Sequence, residues 1–199
     1  MASHKATMGI LQALKERLSL RMSVLLGCNP LVSLVGSQEL GGAPAQEALG
    51  IYLYRVAVDP FSRNRYLPAP EGRKTPLPDL PVNLHVLLVG WSNKTESEIN
   101  YISAAMQVIG SSMNLSISHI GLADPNWGDA DTVQIIPEEM STEDLSRLWD
   151  SFPGGYRLSV PYIIKTVRFA PAEDRDEGPL VKTRVFPVDS NEHSAGHPE

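Results

Sequence analysis

The chain has 199 residues, of which 42% are hydrophobic and 20% charged, the usage of an ordinary globular protein. A domain of this length buries about 70% of its unfolded surface, so it needs no disulfide or metal to hold it together. The formal net charge is −6 and no basic stripe is visible, which argues against nucleic acid as a partner, and the single cysteine, Cys28, excludes an intrachain disulfide and a cysteine-based metal cluster.

The N-terminal part of the chain predicts one helix and two strands. Apolar residues at helical spacing predict a helix over Thr7–Met22 that ends before Gly27. The apolar run Leu31–Val35 predicts a short strand, and the aromatic and β-branched residues of Gly50–Val58 predict a longer one. The predicted apolar face of the helix consists of Ile10, Leu11, Leu14 and Leu18.

The middle of the chain predicts a loop, a strand and a second helix. Asp59–Pro81 is rich in proline and predicts a long extended loop. Val82–Trp91 is apolar at successive positions, which predicts a strand covered on both faces. Glu96–Met113 predicts a helix, with Thr95 and Glu98 at the spacing of a capping box. The predicted apolar stripe of this helix consists of Ile99, Ile102, Met106, Ile109 and Met113.

The C-terminal part predicts three strands and a third helix. Thr132–Ile136 predicts a short strand, and Ser141 predicts the start of a helix because an aspartate follows three positions later. Arg157–Phe169 predicts a long strand in which Pro161 indicates an edge or a bulge. Leu180–Val188 predicts a last strand. The predicted inner side of the helix consists of Leu145, Leu148, Trp149 and Phe152.

These elements predict an α/β (α+β) domain with a mixed or antiparallel sheet of about four to six strands and two or three helices. Residues 1–171 form the predicted main domain and residues 172–188 a C-terminal arm with an extra strand. Residues 189–199 are predicted to be a disordered tail. No segment is apolar enough for a signal peptide or a membrane span, so we expect folding in the cytoplasm without membrane insertion.

The sequence lacks the phosphate-binding glycine motifs, the nucleophile elbow and the helical zinc motif. His85 lies in an apolar strand, where we interpret it as a hydrogen-bonded core or interface histidine, with a catalytic role as the alternative. The carboxylates of Asp124–Asp131 are interpreted as turn formers rather than calcium ligands. Glu138 and Glu139 suit the N-terminus of the helix that follows them. No catalytic, cofactor-binding or metal-binding residue is therefore predicted.

The segment Met140–Phe169 carries the ordered pattern S-x-E-x-L-S-x-L-W followed by Y-R-x-S-V-x-Y. This pattern resembles the cap, or tail-terminator, family of extracellular contractile injection systems, of the Photorhabdus virulence cassette and antifeeding prophage type. The resemblance extends over Thr7–Pro171 and includes the runs IYLYRV, VNLHVLLVGW and AAMQVIG. This chain departs from the family at Val86, where members often carry an aromatic residue, and it has fewer residues after the last matched strand.

The resemblance implies a tail-terminator-like fold and a structural role without catalysis or cofactor. It implies a ring, a homohexamer, on the distal end of the inner tube and contractile sheath, which ends polymerisation and holds the sheath to the tube. The implied partners are other copies of the chain, the tube protein and the sheath protein. The particle would assemble in the bacterial cytoplasm and can be released. The alternatives are a phage-type tail-completion protein or general protein-binding module, and a small enzyme using His85 and the Asp124–Asp131 loop.

Two segments supply candidate interface residues. The proline-rich loop carries a cationic group that suits an acidic neighbour, with a solvated loop as the alternative. The last predicted strand suits β-augmentation of a sheath subunit, or closure of its own sheet. The candidates are Arg63, Arg65, Tyr66, Arg73, Lys74, Val181, Val185 and Phe186. Trp149 and Tyr156 are interpreted as core anchors or partner contacts.

Overall fold

The computed structural model describes residues 2–42, 46–61, 79–115 and 133–170. Across these ranges the strands are β1 (Leu31–Leu34), β2 (Ala48–Val58), β3 (Leu80–Trp91), β4 (Asn114–Leu115), β5 (Val133–Pro137) and β6 (Ser159–Phe169). The helices are α1 (Ala6–Leu26), α2 (Ser37–Leu40), α3 (Thr95–Ser111) and α4 (Thr142–Asp150). The six strands form one sheet in the order β1-β2-β3-β6-β5-β4. Only β1 and β2 pair in parallel, so the predicted mixed α+β fold is confirmed.

The larger core lies between one face of the sheet and the helices α1 and α3. Alternate residues of β3 point into it and are fully buried, among them Leu84 and Leu88. Leu14 and Leu18 of α1 are also fully buried, which confirms the predicted apolar face of that helix. The helix continues past its predicted end and stops at Gly27, whose φ of 64° is a conformation that glycine adopts without steric cost. We call this side of the sheet the large face.

A smaller core covers the opposite side of the sheet, which we call the small face. Leu87 and Val89 of β3 point into it, and α2 and α4 cover them. Ser141 caps α4 as predicted, because its Oγ accepts a hydrogen bond of 3.0 Å from the backbone nitrogen of Asp144. Trp149 is buried here. The buried apolar members of this cluster are Val35, Leu40, Leu87, Val89, Trp149 and Phe152.

The predicted apolar stripe of α3 is partly wrong. Ile102 and Ile109 are buried, but Ile99, Met106 and Met113 are 50%, 45% and 52% exposed. The buried face instead includes small residues, because α3 packs closely against both the sheet and α1. The remaining buried residues of α3 are Ala104, Ala105 and Val108.

The predicted capping box at the start of α3 is also wrong. Lys94 is the N-cap residue and no side chain caps the helix. Thr95 already belongs to the first helical turn, so its hydroxyl does not occupy the capping position. The approach to the helix is held instead by Ser92, whose Oγ accepts a hydrogen bond of 3.0 Å from the Lys94 nitrogen.

Two prolines lie inside strands. β3 starts at Leu80, so Pro81 belongs to the strand and the predicted loop ends two residues too late. Pro161 lies in β6, and its oxygen accepts a hydrogen bond of 3.1 Å from the Glu138 nitrogen. In an antiparallel pair, the N–H and the C=O of one residue point towards the same neighbouring strand. The side of Pro161 that lacks an N–H therefore faces the chain just past the end of β5. The edge that Pro161 predicts is therefore limited to the part of β6 beside which β5 has already ended.

Several predictions fall outside the described residues. They concern most of the proline-rich loop, the carboxylates of Asp124–Asp131, the strand Leu180–Val188 and the tail. The predicted domain boundaries depend on the same segments. All of them stay predictions.

Candidate protein-binding surfaces and a buried polar cluster

The interface candidates chosen from the sequence lie outside the described residues. They are Arg63, Arg65, Tyr66, Arg73, Lys74, Val181, Val185 and Phe186. Candidate surfaces in the described part of the chain therefore have to be found from exposure, shape and charge.

A groove of about 630 Å³ runs between the C-terminal halves of α1 and α3. Its α1 wall is apolar and open to solvent, since Leu20 is 67% and Val24 is 76% exposed. Its other wall is formed by the end of α3 and by β4. Large apolar side chains that remain this exposed next to a concave surface are typical of protein-binding sites.

Arg17 lies in this groove and joins its two walls. Its guanidinium donates hydrogen bonds to the carbonyl oxygens of Asn114 at 2.8 Å, Val108 at 3.1 Å and Ser112. The carbonyls of Val108 and Ser112 lie at the C-terminus of α3, where a cation is favoured by the helix dipole, and that of Asn114 lies in β4. Partial burial, and then the neighbouring Arg21, lower the pKa of Arg17 from its ordinary value. No local sequence signal indicates this contact, because the partners of Arg17 are 91 to 97 residues away.

Arg21 also lines the groove but has a different environment. It is exposed, and within the described ranges no hydrogen bond or ion pair involves it. The groove therefore offers an apolar wall together with one available cation. This combination suits a protein segment that carries both apolar and acidic side chains.

The small face carries charge of the opposite sign. Four exposed acidic residues and one basic residue lie between Glu139 and Asp150. The basic residue, Arg147, is already paired with Glu143 at 2.6 Å. The outer surface around α4 is therefore net acidic, and it lies on the other side of the sheet from the groove.

A buried polar cluster joins β2, β3 and the segment after β5. His85 is 8% exposed, and its Nδ1 lies 2.8 Å from Oε1 of Glu138. The Tyr54 hydroxyl donates a hydrogen bond to the other oxygen of the same carboxylate. The Tyr54 ring also contacts the imidazole edge-on, at a centroid distance of 5.9 Å. The interpretation of His85 as a hydrogen-bonded core histidine is confirmed.

This cluster fixes the segment before α4 onto the sheet. Burial, and then the hydrogen bond to Glu138, raise the pKa of Tyr54 well above its ordinary value, so the phenol stays protonated and donates. The position of Glu138 in the sequence predicts only a favourable charge near a helix start. Its real partners are 53 and 84 residues away, and no spacing rule connects them.

Trp149 is a core anchor. It is 1% exposed, and its Nε1 donates a hydrogen bond of 3.0 Å to the hydroxyl of Ser159. Tyr156 is 58% exposed and touches the Trp149 ring at a centroid distance of 6.3 Å. Of these two aromatic residues, Tyr156 is the one available to a partner.

Among the described residues no group of three or more His, Cys, Asp or Glu side chains is placed to hold a metal ion. None of the described helices combines the length and the apolarity that crossing a membrane requires.

Solved structures of two terminator caps are among those that share this fold. The sheath/tube terminator of the PVC extracellular contractile injection system in its extended state matches with a TM-score of 0.58 and 17% identity, over 92% of this chain and 64% of that one. The tube-terminating cap of the anti-feeding prophage matches with a TM-score of 0.60 and 18% identity, over 90% of this chain and 60% of that one. The chain thus spans a little under two thirds of the length of each structure.

The fold is therefore that of the terminator caps of contractile injection systems. Residues 9–183 match the family of the Pvc16 N-terminal domain, and the chain belongs to that family. No curated protein matches the sequence. The resemblance drawn from the Met140–Phe169 pattern is confirmed at the level of family and fold.

Proposed function

We propose that this chain is a structural cap, or tail terminator, of a phage-tail-like contractile injection system. It would sit on the distal end of the inner tube and sheath, end their polymerisation and hold the sheath to the tube. The observation that carries this proposal is family membership over residues 9–183. The fold shared with two terminator caps over at least 90% of this chain supports it. Since the chain spans less than two thirds of those caps, contacts made by the rest of them are not transferred.

The proposed partners are other copies of the chain, the tube protein and the sheath protein. A cap needs matching surfaces and no reactive group, so we propose no catalysis and no cofactor. We also propose assembly in the bacterial cytoplasm as part of a particle that can be released. Six copies would match the symmetry that the resemblance implies.

A closed ring with one kind of subunit needs two different, complementary surfaces on each copy. The groove beside Arg21 and the acidic surface around α4 meet that requirement, because they differ in charge and lie on opposite sides of the sheet. We propose that the groove of one copy binds the acidic surface of the next. Opposite charges would set the orientation, while the apolar wall of the groove would supply the buried area.

The first experiment deletes the gene in a producing strain and compares particles by electron microscopy. Tubes and sheaths of uncontrolled length, or sheaths lost from their tubes, are expected. Normal particles of normal length would reject the capping function. Uncontrolled tubes without any sheath defect would instead favour the phage-type tail-completion function.

The second experiment tests the groove in the deletion strain by complementation. Val24→Asp puts a carboxylate on the apolar wall, so it should repel the acidic surface of the next copy and restore normal particle length at least tenfold less often than the wild type. Met8→Asp is the control, because Met8 lies on the same helix at 57% exposure and does not line the groove. Equal rescue by both variants would exclude the groove as the contact between copies.

A further inference from the structure

One long strand edge is left open in the described part of the molecule. β1 pairs with Ala48–Ile51 only, whereas β2 continues for seven more residues, Tyr52–Val58. In the described ranges these seven residues pair with β3 alone. Val56 and Val58 are 52% and 44% exposed along this stretch. An open edge with exposed β-branched residues pairs readily with any other strand, so proteins usually cover it.

We propose that Leu180–Val188 of the same chain covers this edge as a strand antiparallel to β2. The geometry of β6 supports this proposal. Val58 pairs with Val82, which in turn pairs with Val167 near the end of β6. The chain therefore leaves β6 at the same end of the sheet at which β2 ends, and a strand returning from there runs antiparallel to β2.

The connecting segment is long enough. From β6 across β3 and β2 to the next position in the sheet is three strand spacings, about 14 Å. Residues 170–179 can extend to about 33 Å. The same copy can therefore supply the strand without strain.

The composition of Leu180–Val188 also fits the opening. Its nine residues slightly exceed the seven open positions. Val181, Thr183 and Val185 alternate, so one side of the strand carries three successive β-branched residues that can lie beside the exposed valines of β2. Pro187, which lacks an N–H, falls at the far end, where β1 takes over the pairing.

The other segments outside the described ranges fit less well. Residues 62–78 contain four prolines, which prevent a continuous ladder over seven residues. Residues 116–132 leave from β4 and return at β5, at the opposite edge of the sheet. Residues 43–45 are too few. The C-terminal segment is therefore the occupant that the sequence and the topology favour.

This proposal is independent of the capping function, because it concerns how one copy completes its own sheet. It also decides between the two interpretations of Val181, Val185 and Phe186. If these residues close the sheet of their own copy, they are not free to augment a neighbouring subunit, and the edge of β2 at Tyr52–Val58 is not free to recruit a strand from another molecule.

Disulfide trapping tests the proposal in the full chain. In a Cys28→Ser background, Val56→Cys is combined in turn with Val181→Cys, Thr183→Cys and Val185→Cys, and the purified protein is oxidised at low concentration. At least one pair is expected to form an intramolecular disulfide in most molecules, seen by non-reducing electrophoresis and peptide mass spectrometry. The control replaces Val56→Cys by Asn114→Cys on the opposite edge, which should not cross-link.

Each other result overturns the proposal. Cross-links only between two copies would show that a neighbour supplies the strand. Cross-links to Asn114→Cys would place the segment at the other edge. No cross-link with any pair would exclude the segment as occupant.

Hydrogen exchange gives a second measurement. Thr183→Pro removes a ladder hydrogen bond in the proposed strand, so those amides of Tyr52–Val58 that point away from β3 should exchange at least tenfold faster, while those of β6 are unchanged. Unchanged exchange at Tyr52–Val58 would contradict the proposal even if the disulfide variants fail to fold.

Discussion

The two faces of the sheet are stabilised in different ways. The large face is covered by two long helices, and its core consists almost entirely of aliphatic side chains such as Leu14 and Leu88. The small face is covered by two short helices, and it depends on a few side chains that each have a specific partner. There, Trp149 is hydrogen-bonded to Ser159, and His85 lies against Glu138.

This difference predicts how each face responds to substitution. On the large face many similar contacts share the stabilisation, so a removed methyl group is compensated in part by neighbours. On the small face one lost side chain leaves a polar partner buried without its hydrogen bond, which costs additional free energy. The small face also carries the acidic surface proposed to bind the next copy. It should therefore be the more sensitive of the two.

The largest expected effect is that of Trp149→Ala. Loss of the indole empties the centre of the small core and leaves the Ser159 hydroxyl without its donor, so the free energy of unfolding should fall by about 4 kcal/mol. Leu14→Ala on the large face is the matched comparison and should cost about 3 kcal/mol. Urea denaturation measures both. A smaller loss of stability for Trp149→Ala than for Leu14→Ala would contradict the conclusion that the small face is the more sensitive one.

Arg17→Met tests a polar contact that joins the two helices of the large face. Methionine keeps much of the apolar stem, but the carbonyls at the end of α3 lose their cation, so unfolding should become easier by about 2 kcal/mol. Arg21→Met is the control, and an effect below about 0.5 kcal/mol is expected because Arg21 is exposed. Equal effects of the two substitutions would show that Arg17 contributes only as surface charge.

Tyr54→Phe removes one hydrogen bond from the small face and so tests how much a single polar contact contributes there. It should lower the free energy of unfolding at neutral pH by about 1 kcal/mol. Because folding raises the pKa of Tyr54 above its ordinary value of 10.0, its contribution is complete below that pH. The contribution falls as the pH rises from there towards the folded-state pKa. The stability of the variant should therefore decline less steeply with alkaline pH.

Denaturation at a series of alkaline pH values measures this effect. Tyr101 and Tyr162 also have raised pKa values through burial, so part of the decline should remain in the variant. Parallel curves for the wild type and Tyr54→Phe would mean that burial and the hydrogen bond to Glu138 do not hold the phenol in its protonated form.

Local sequence signals predicted most of the fold. The face of α1 and the cap at Ser141 are confirmed, because each depends on residues within one or two helical turns. The helix ends before Gly27 as predicted, but at Leu26 rather than at Met22. The stripe of α3 was partly wrong because periodicity weights large side chains, whereas close packing against two neighbours selected alanines. The capping box failed because a matching spacing does not fix which residue starts the helix.

The sequence by itself determined the described elements other than α2 and β4, the mixed α+β class and, through an ordered pattern of residues, the family. Only the tertiary structure decided which distant side chains meet. Strand order and helix placement bring together the cluster of Tyr54, His85 and Glu138. They also place Arg17 against the end of α3, and they leave the edge of β2 open in the described ranges. Contacts across more than fifty residues depend on how the elements pack, and no local propensity or periodicity encodes that arrangement.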